Sequence, residues 1–144
     1  MVGAGCIRVL VGDDNSVFRQ TMRSLLATYP DIELVGEAMD GNEALECVHR
    51  LQPNVVLMDI HLRRTMDGIA ATRLILNQYP DVAIIGLSLD IRRYIVSGMQ
   101  QAGAVEVLTK DEANAGDVYR AIQRAVASKR RLHEEGKQNE RDAD

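Results

Sequence analysis

Five consecutive residues, Val55-Val56-Leu57-Met58-Asp59, constrain the fold of this chain more than any other stretch. Four apolar side chains in a row, bounded by Gln52-Pro53-Asn54 on one side and a charged loop on the other, read as a buried parallel strand. The run ends on a carboxylate. In an open α/β sheet the carboxyl ends of the strands form the edge where loops splay apart and leave a crevice for a ligand. Taken alone, an aspartate in that place is as often a helix cap or a turn former as a working group. The rest of the chain shifts that balance.

Similar runs recur along the chain. Residues 7–11 are apolar and β-branched apart from Arg8 and end at Gly12-Asp13-Asp14-Asn15, and residues 32–38, 82–87 and 105–108 supply three more short strands. Between them lie helices. Val17, Phe18, Thr21, Met22, Leu25, Leu26 and Tyr29 recur at helical spacing, with Asn15 or Ser16 placed to cap and Pro30 to stop. A second helix begins near Asn42 with Ala44, Leu45, Val48 and Leu51 on one face. A third begins at Gly68, turns Ile69, Thr72, Ile75, Leu76 and Tyr79 inward and ends at Pro80. The fourth, residues 91–101, contains Gly98, which costs about 1 kcal/mol relative to Ala and predicts a helix less rigid than its neighbours. The last, 116–131, sets Val118, Ile122, Ala125 and Val126 inward. Strand and helix thus alternate five times, through connections too short for anything but right-handed crossovers. The expected fold is α/β, a doubly wound, flavodoxin-like five-stranded parallel sheet of order 2-1-3-4-5 with its topological switch between strands one and three.

A chain of 144 residues fits one such domain and can bury roughly 68–70% of its unfolded surface without a disulfide or structural metal. Its 46% hydrophobic and 26% charged residues suit a globular protein, and a net charge of −4 argues against direct contact with nucleic acid. No apolar run approaches the ~20 residues of a membrane span and no leader-like segment opens the chain, so a cytoplasmic location is expected. Cys6 and Cys47 lack any metal or redox spacing and read as ordinary partly buried side chains. The expected organisation is a lead at 1–6, one domain at 7–128, and a charged tail or linker at 129–144 that should fray.

The predicted topology brings Asp13, Asp14 and Asp59 to the switch point. Three carboxylates in one crevice repel one another and raise each other's pKa unless a cation sits among them. A hard divalent ion answers this. Mg2+ prefers oxygen ligands, keeps several waters and is commonly held by one or two carboxylates plus a phosphate. Ser88 at the end of strand four and Lys110 just after strand five add a hydroxyl and an ammonium to the same edge. A carboxylate nucleophile, a metal, a hydroxyl and a cation are the parts that stabilise a phosphoryl group in transfer, and they point to aspartyl-phosphate formation.

On these residues the chain resembles the receiver domain of two-component response regulators over about residues 7–127. The family's acidic pair falls on Asp13 and Asp14, its phosphoacceptor on Asp59, its hydroxyl residue on Ser88 and its lysine on Lys110, 22 positions after Ser88. The Met66-Asp67-Gly68 turn is similar as well. The resemblance implies a phosphoryl group passed to Asp59 from a sensor histidine kinase, a phosphotransfer protein or a small donor such as acetyl phosphate. It implies Mg2+ held by Asp14, Asp59 and the backbone carbonyl of His61, with Asp13 acting largely through water. Lys110 would pair with Asp59 and then with the phosphate, and Ser88 would swing in to a phosphoryl oxygen. It also implies an output carried by a partner, a second copy of the chain, or a C-terminal effector such as a DNA-binding domain. In three places the chain departs from the family pattern. Val107 stands where an aromatic switch residue is usual, Asp111 where a proline is usual, and the loop after Asp59 is one residue longer.

Simpler readings exist for each residue. Asp13 and Asp14 suit a helix start, where the macrodipole favours acidic residues by ~0.3–1 kcal/mol each. Ser88 suits a strand end and Lys110 a solvated surface, while His61 reads as a loop histidine with an idle side chain. Tyr94 and Tyr119 read as packing residues. Two rival functions share the site: a Mg2+-dependent phosphotransferase or phosphatase that turns over a small substrate, and a degenerate receiver that serves only for docking. The chain has no Gly-rich phosphate loop and no cap segment to enclose a substrate, which disfavours the first. The complete set of five residues argues against the second.

Overall fold

The computed structural model describes residues 5–62, 66–89, 92–111 and 114–142. Five strands and five helices alternate: β1 (Ile7–Gly12), α1 (Ser16–Leu26), β2 (Ile32–Ala38), α2 (Gly41–Leu51), β3 (Val55–Asp59), α3 (Gly68–Gln78), β4 (Ala83–Ser88), α4 (Arg93–Ala102), β5 (Glu106–Thr109) and α5 (Ala115–Asp142). All strand pairs are parallel and the order is β2-β1-β3-β4-β5, the order expected from the sequence. Every residue of β3 is buried because helices cover both faces of the sheet. Val56 and Met58 pack with Leu10 and Ile84 beneath α2, α3 and α4, while Val55 and Leu57 pack with Val9, Val11 and Ile85 beneath α1 and α5.

The helix starts follow from short polar side chains. Asn15 accepts from the amides of Val17 and Phe18, Asp40 from Glu43 and Asp67 from Ala70, which satisfies donors that the first turn leaves open. Gly103, at φ 111°, ends α4 in the left-handed region that glycine enters without steric cost. Gly98 has a packing role: a Cβ there would meet Ile69 Cδ1 at 3.1 Å, so the glycine lets α4 lie close against α3.

The structure shifts some expected boundaries and corrects others. Strand β4 begins at Ala83 and takes in Ser88, and β5 runs one residue later than its apolar pattern suggests. Arg63, Arg64 and Thr65 of the loop after Asp59, and Ile91 at the expected start of helix four, lie outside the described residues. The tail was expected to fray beyond residue 129, yet α5 continues as one helix to Asp142. Its Lys, Arg, Glu and Gln residues are strong helix formers that need no buried face, and Gln138 hydrogen-bonds Asp142 one turn on at 3.0 Å. Tyr119 is a packing residue, stacked on Tyr29 with ring centroids 4.0 Å apart and donating to Asp31 at 2.6 Å. Tyr94 is not: it is 65% exposed, with the Arg92 guanidinium over its ring.

Candidate phosphoacceptor site

Each working side chain is placed by the carboxyl end of a strand. The amide of Asp13 donates to Ala38 O across the top of β1 and β2, that of Ile60 donates to Leu87 O, and that of Lys110 donates to Ser88 O. These backbone bonds register the ends of the strands against one another. Asp59 is the last residue of β3, and its Oδ1 accepts from the His61 amide at 3.0 Å, which fixes the carboxylate against its own turn. Asp13 Oδ1 accepts in the same way from Asn15.

Asp13, Asp14 and Asp59 each offer a carboxylate oxygen within 4.8 Å of the others. Asp13 and Asp59 are buried and Asp14 is exposed, so the crevice opens to solvent on the Asp14 side. Lys110, with its side chain only 12% exposed, reaches between the two buried carboxylates. Its ammonium is 2.5 Å from Asp13 Oδ2 and 3.4 Å from Asp59 Oδ2. The resemblance led us to expect Asp59 as its partner, and the shorter contact with Asp13 is a difference. Asp13 is fully buried, and a charge that has lost its hydration draws the available cation more strongly.

Asp13 Oδ2 is buried without a hydrogen bond in good alignment, even with the ammonium at ion-pair distance. Burial pushes the Asp13 carboxyl above the ordinary carboxylate range, Lys110 and the Asn15 amide pull it back, and the charge of Asp59 adds to the rise. Three carboxylates in one crevice, two of them buried and sharing one ammonium, are a donor set that fits a hard divalent cation.

Three features of the site were not read from the sequence. The His61 imidazole, taken as idle, lies against the Ser88 hydroxyl, with Nε2 3.2 Å from Oγ. The Arg19 guanidinium donates to the backbone carbonyl of Asp13 at 2.6 Å and pairs with Glu37 at 3.3 Å, tying α1 to the acidic loop. The Phe18 ring lies beside Lys110. Arg19 follows Asn15 by four positions in a helix that Asn15 caps, so one turn of helix brings it back over the acidic loop. That spacing is visible in the sequence once the cap is chosen. The two ring contacts depend on loop and strand placement and leave no such signal.

A parallel doubly wound sheet carrying a buried aspartate, an acidic pair, a hydroxyl and a lysine at its carboxyl edge defines the receiver class of signalling domain. The comparisons agree: a family model, the response regulator receiver domain, matches residues 9–123, and the chain belongs to that family. It is 37% identical over 126 residues to the transcriptional regulatory protein LiaR of Bacillus subtilis, covering 88% of this chain and 59% of that protein. It is 39% identical over 109 residues to a protein-glutamate methylesterase/protein-glutamine glutaminase of Geobacter metallireducens, covering 74% of this chain and 31% of that protein. Among solved structures it is similar to the response regulator domain of Thermotoga maritima CheB, at 31% identity and TM-score 0.77, covering 84% of this chain and 96% of that domain. The chain thus spans less than two thirds of the length of these two curated relatives, one named a transcriptional regulatory protein and the other a methylesterase/glutaminase, and the receiver is the part it shares with them. Among the described residues no helix is long and apolar enough to cross a membrane.

Proposed function

We propose that Asp59 is the phosphoacceptor and that Ser88 and Lys110 convert its modification into a change of shape. The observation that carries this reading is the placement of a buried carboxylate at the end of the central strand, 3.4 Å from a nearly buried ammonium and beside two further aspartates. One oxygen of Asp59 attacks phosphorus and forms the new P–O bond. The donor's bond to phosphorus breaks, and the imidazole of a histidine kinase or phosphotransfer protein, or acetate from acetyl phosphate, leaves with that electron pair. Lys110 then exchanges its contact with Asp13 for the phosphoryl oxygens, and Ser88 leaves His61 to donate to one of them. Asp14, Asp59 and the His61 backbone carbonyl would hold Mg2+, with Asp13 reaching it through water, and the bound ion supplies positive charge for the transferring group.

On this reading the chain is a cytoplasmic phosphoacceptor that catalyses at most its own modification and its loss. The response is carried by an output module, DNA-binding or enzymatic, or by a second copy docking at α4. Incubation with acetyl phosphate and Mg2+, followed by intact mass and peptide mapping, should give one phosphoryl adduct on Asp59 and none on Asp59→Asn. A full-strength adduct on that variant refutes the assignment.

A further inference from the structure

Lys110 meets two carboxylates and an aromatic ring. Its ammonium lies between Asp13 and Asp59, and its Nζ stands 4.5 Å from the centroid of the Phe18 ring. An ammonium within about 6 Å of an aromatic centroid is attracted by the ring quadrupole, and more strongly where water is excluded. We infer that Phe18 is a positioning residue for Lys110. The inference rests on the phosphoacceptor reading of Asp59.

The surroundings of the ring support the role. Asn15 caps the amides of Val17 and Phe18, which fixes the first turn of α1 and with it the direction in which Phe18 leaves the helix. Phe18 is half-buried against the core between α1, α5 and the sheet, so packing limits where the ring can go. Lysine is a compact charge on a flexible four-carbon stem. Two carboxylates attract that charge but do not select one path for it, whereas a fixed ring beside the ammonium does. As Lys110 passes from Asp13 to a phosphoryl group on Asp59, Phe18 keeps it on the crevice side and keeps water off its apolar flank. Phe18 also fills space in the core, and the test has to separate the two roles.

Phe18→Leu keeps an apolar side chain and removes the ring, while Phe18→Tyr keeps the ring. Two readouts follow Lys110. The first is the NMR shift of its ε-methylene, which the ring current of Phe18 displaces. The second is the initial rate of Asp59 labelling by acetyl phosphate, a donor that needs no docking on the exposed start of α1. In Phe18→Leu the ε-methylene displacement should vanish and labelling should slow by about 2- to 30-fold, the range of a cation–π contact expressed as a rate. Phe18→Tyr should restore both. A Leu variant labelled at the parent rate overturns this role alone, whatever happens to the Lys110 resonance. So does a Tyr variant as slow as the Leu variant, since the ring would then be filler. A parent that takes no phosphoryl group removes the phosphoacceptor reading and this role with it.

Discussion

Gly68 opens α3 directly beneath the turn after Asp59, and its amide donates to Ile60 O at 3.1 Å. A Cβ at this position would lie 2.1 Å from the carbonyl oxygen of Asp59, 2.8 Å from Ile60 Cα and 2.9 Å from the Asp59 carbonyl carbon. All three are backbone atoms. They cannot rotate aside as the end of a flexible side chain can, so Gly68→Ala has to push α3 and the Asp59 turn apart by about 1 Å to restore ordinary contact. Overpacking of this kind costs about 3 kcal/mol at the upper end of its usual range. The preference of a helix for Ala over Gly offsets no more than about 1 kcal/mol. The net loss is about 2 kcal/mol, which for a chain of this size lowers Tm by about 4–8 °C. The same displacement moves Asp59, the proposed nucleophile, and a misplacement near 1 Å costs on the order of 100-fold in rate. Thermal melting followed by circular dichroism, with acetyl phosphate labelling followed by intact mass, measures both. A Gly68→Ala protein that melts within about 2 °C of the parent and labels at the parent rate would refute the claim that this close approach holds Asp59 in place.

Three further outcomes are expected. Burial raises the pKa of Asp13, so the stability that this group contributes is complete below the ordinary carboxylate value of 3.8 and is lost as pH rises through its folded value. Asp13→Asn should therefore melt higher than the parent at neutral pH, with the gain shrinking in acid; a variant less stable than the parent at pH 7 contradicts this. If Mg2+ binds at the acidic cluster, a concentration of 100 times Kd adds about 2.7 kcal/mol to the parent, and Asp14→Ala should lose that Mg2+-dependent rise in Tm. An equal response from both proteins would place the ion elsewhere. With a beryllofluoride mimic of the phosphate, hydrogen exchange should change at Ser88 and through α4, and His61→Ala should change the resting exchange of Ser88 because its imidazole contact is gone. Silence at Ser88 and α4 would show that the signal does not travel through that face.

The order of elements was legible because each strand is a short apolar run and each helix shows a 3.6-residue pattern, and both signals are local. Val55–Asp59 is buried along its whole length and Ile32–Ala38 has the bounds its sequence suggests. The positions of Asp13, Asp14, Asp59, Ser88 and Lys110 at one edge followed from topology, since in a parallel sheet every strand delivers its last residue to the same side. The tail was misread because a charge-rich segment without an apolar face looks disordered by composition, while Lys, Arg, Glu and Gln also favour a helix.

The partners of the charged groups had to come from the tertiary structure. The family resemblance pairs Lys110 with Asp59, and the ammonium does reach it at 3.4 Å, but it lies closer to Asp13, at 2.5 Å. The same holds for His61 on Ser88 and Phe18 beside Lys110, contacts between residues 27 and 92 positions apart. Residue type and order determine which chemical groups arrive at the edge of the sheet. Which of them touch depends on differences of an ångström or two in how loops, helices and strand ends pack, and those differences are a property of the whole fold.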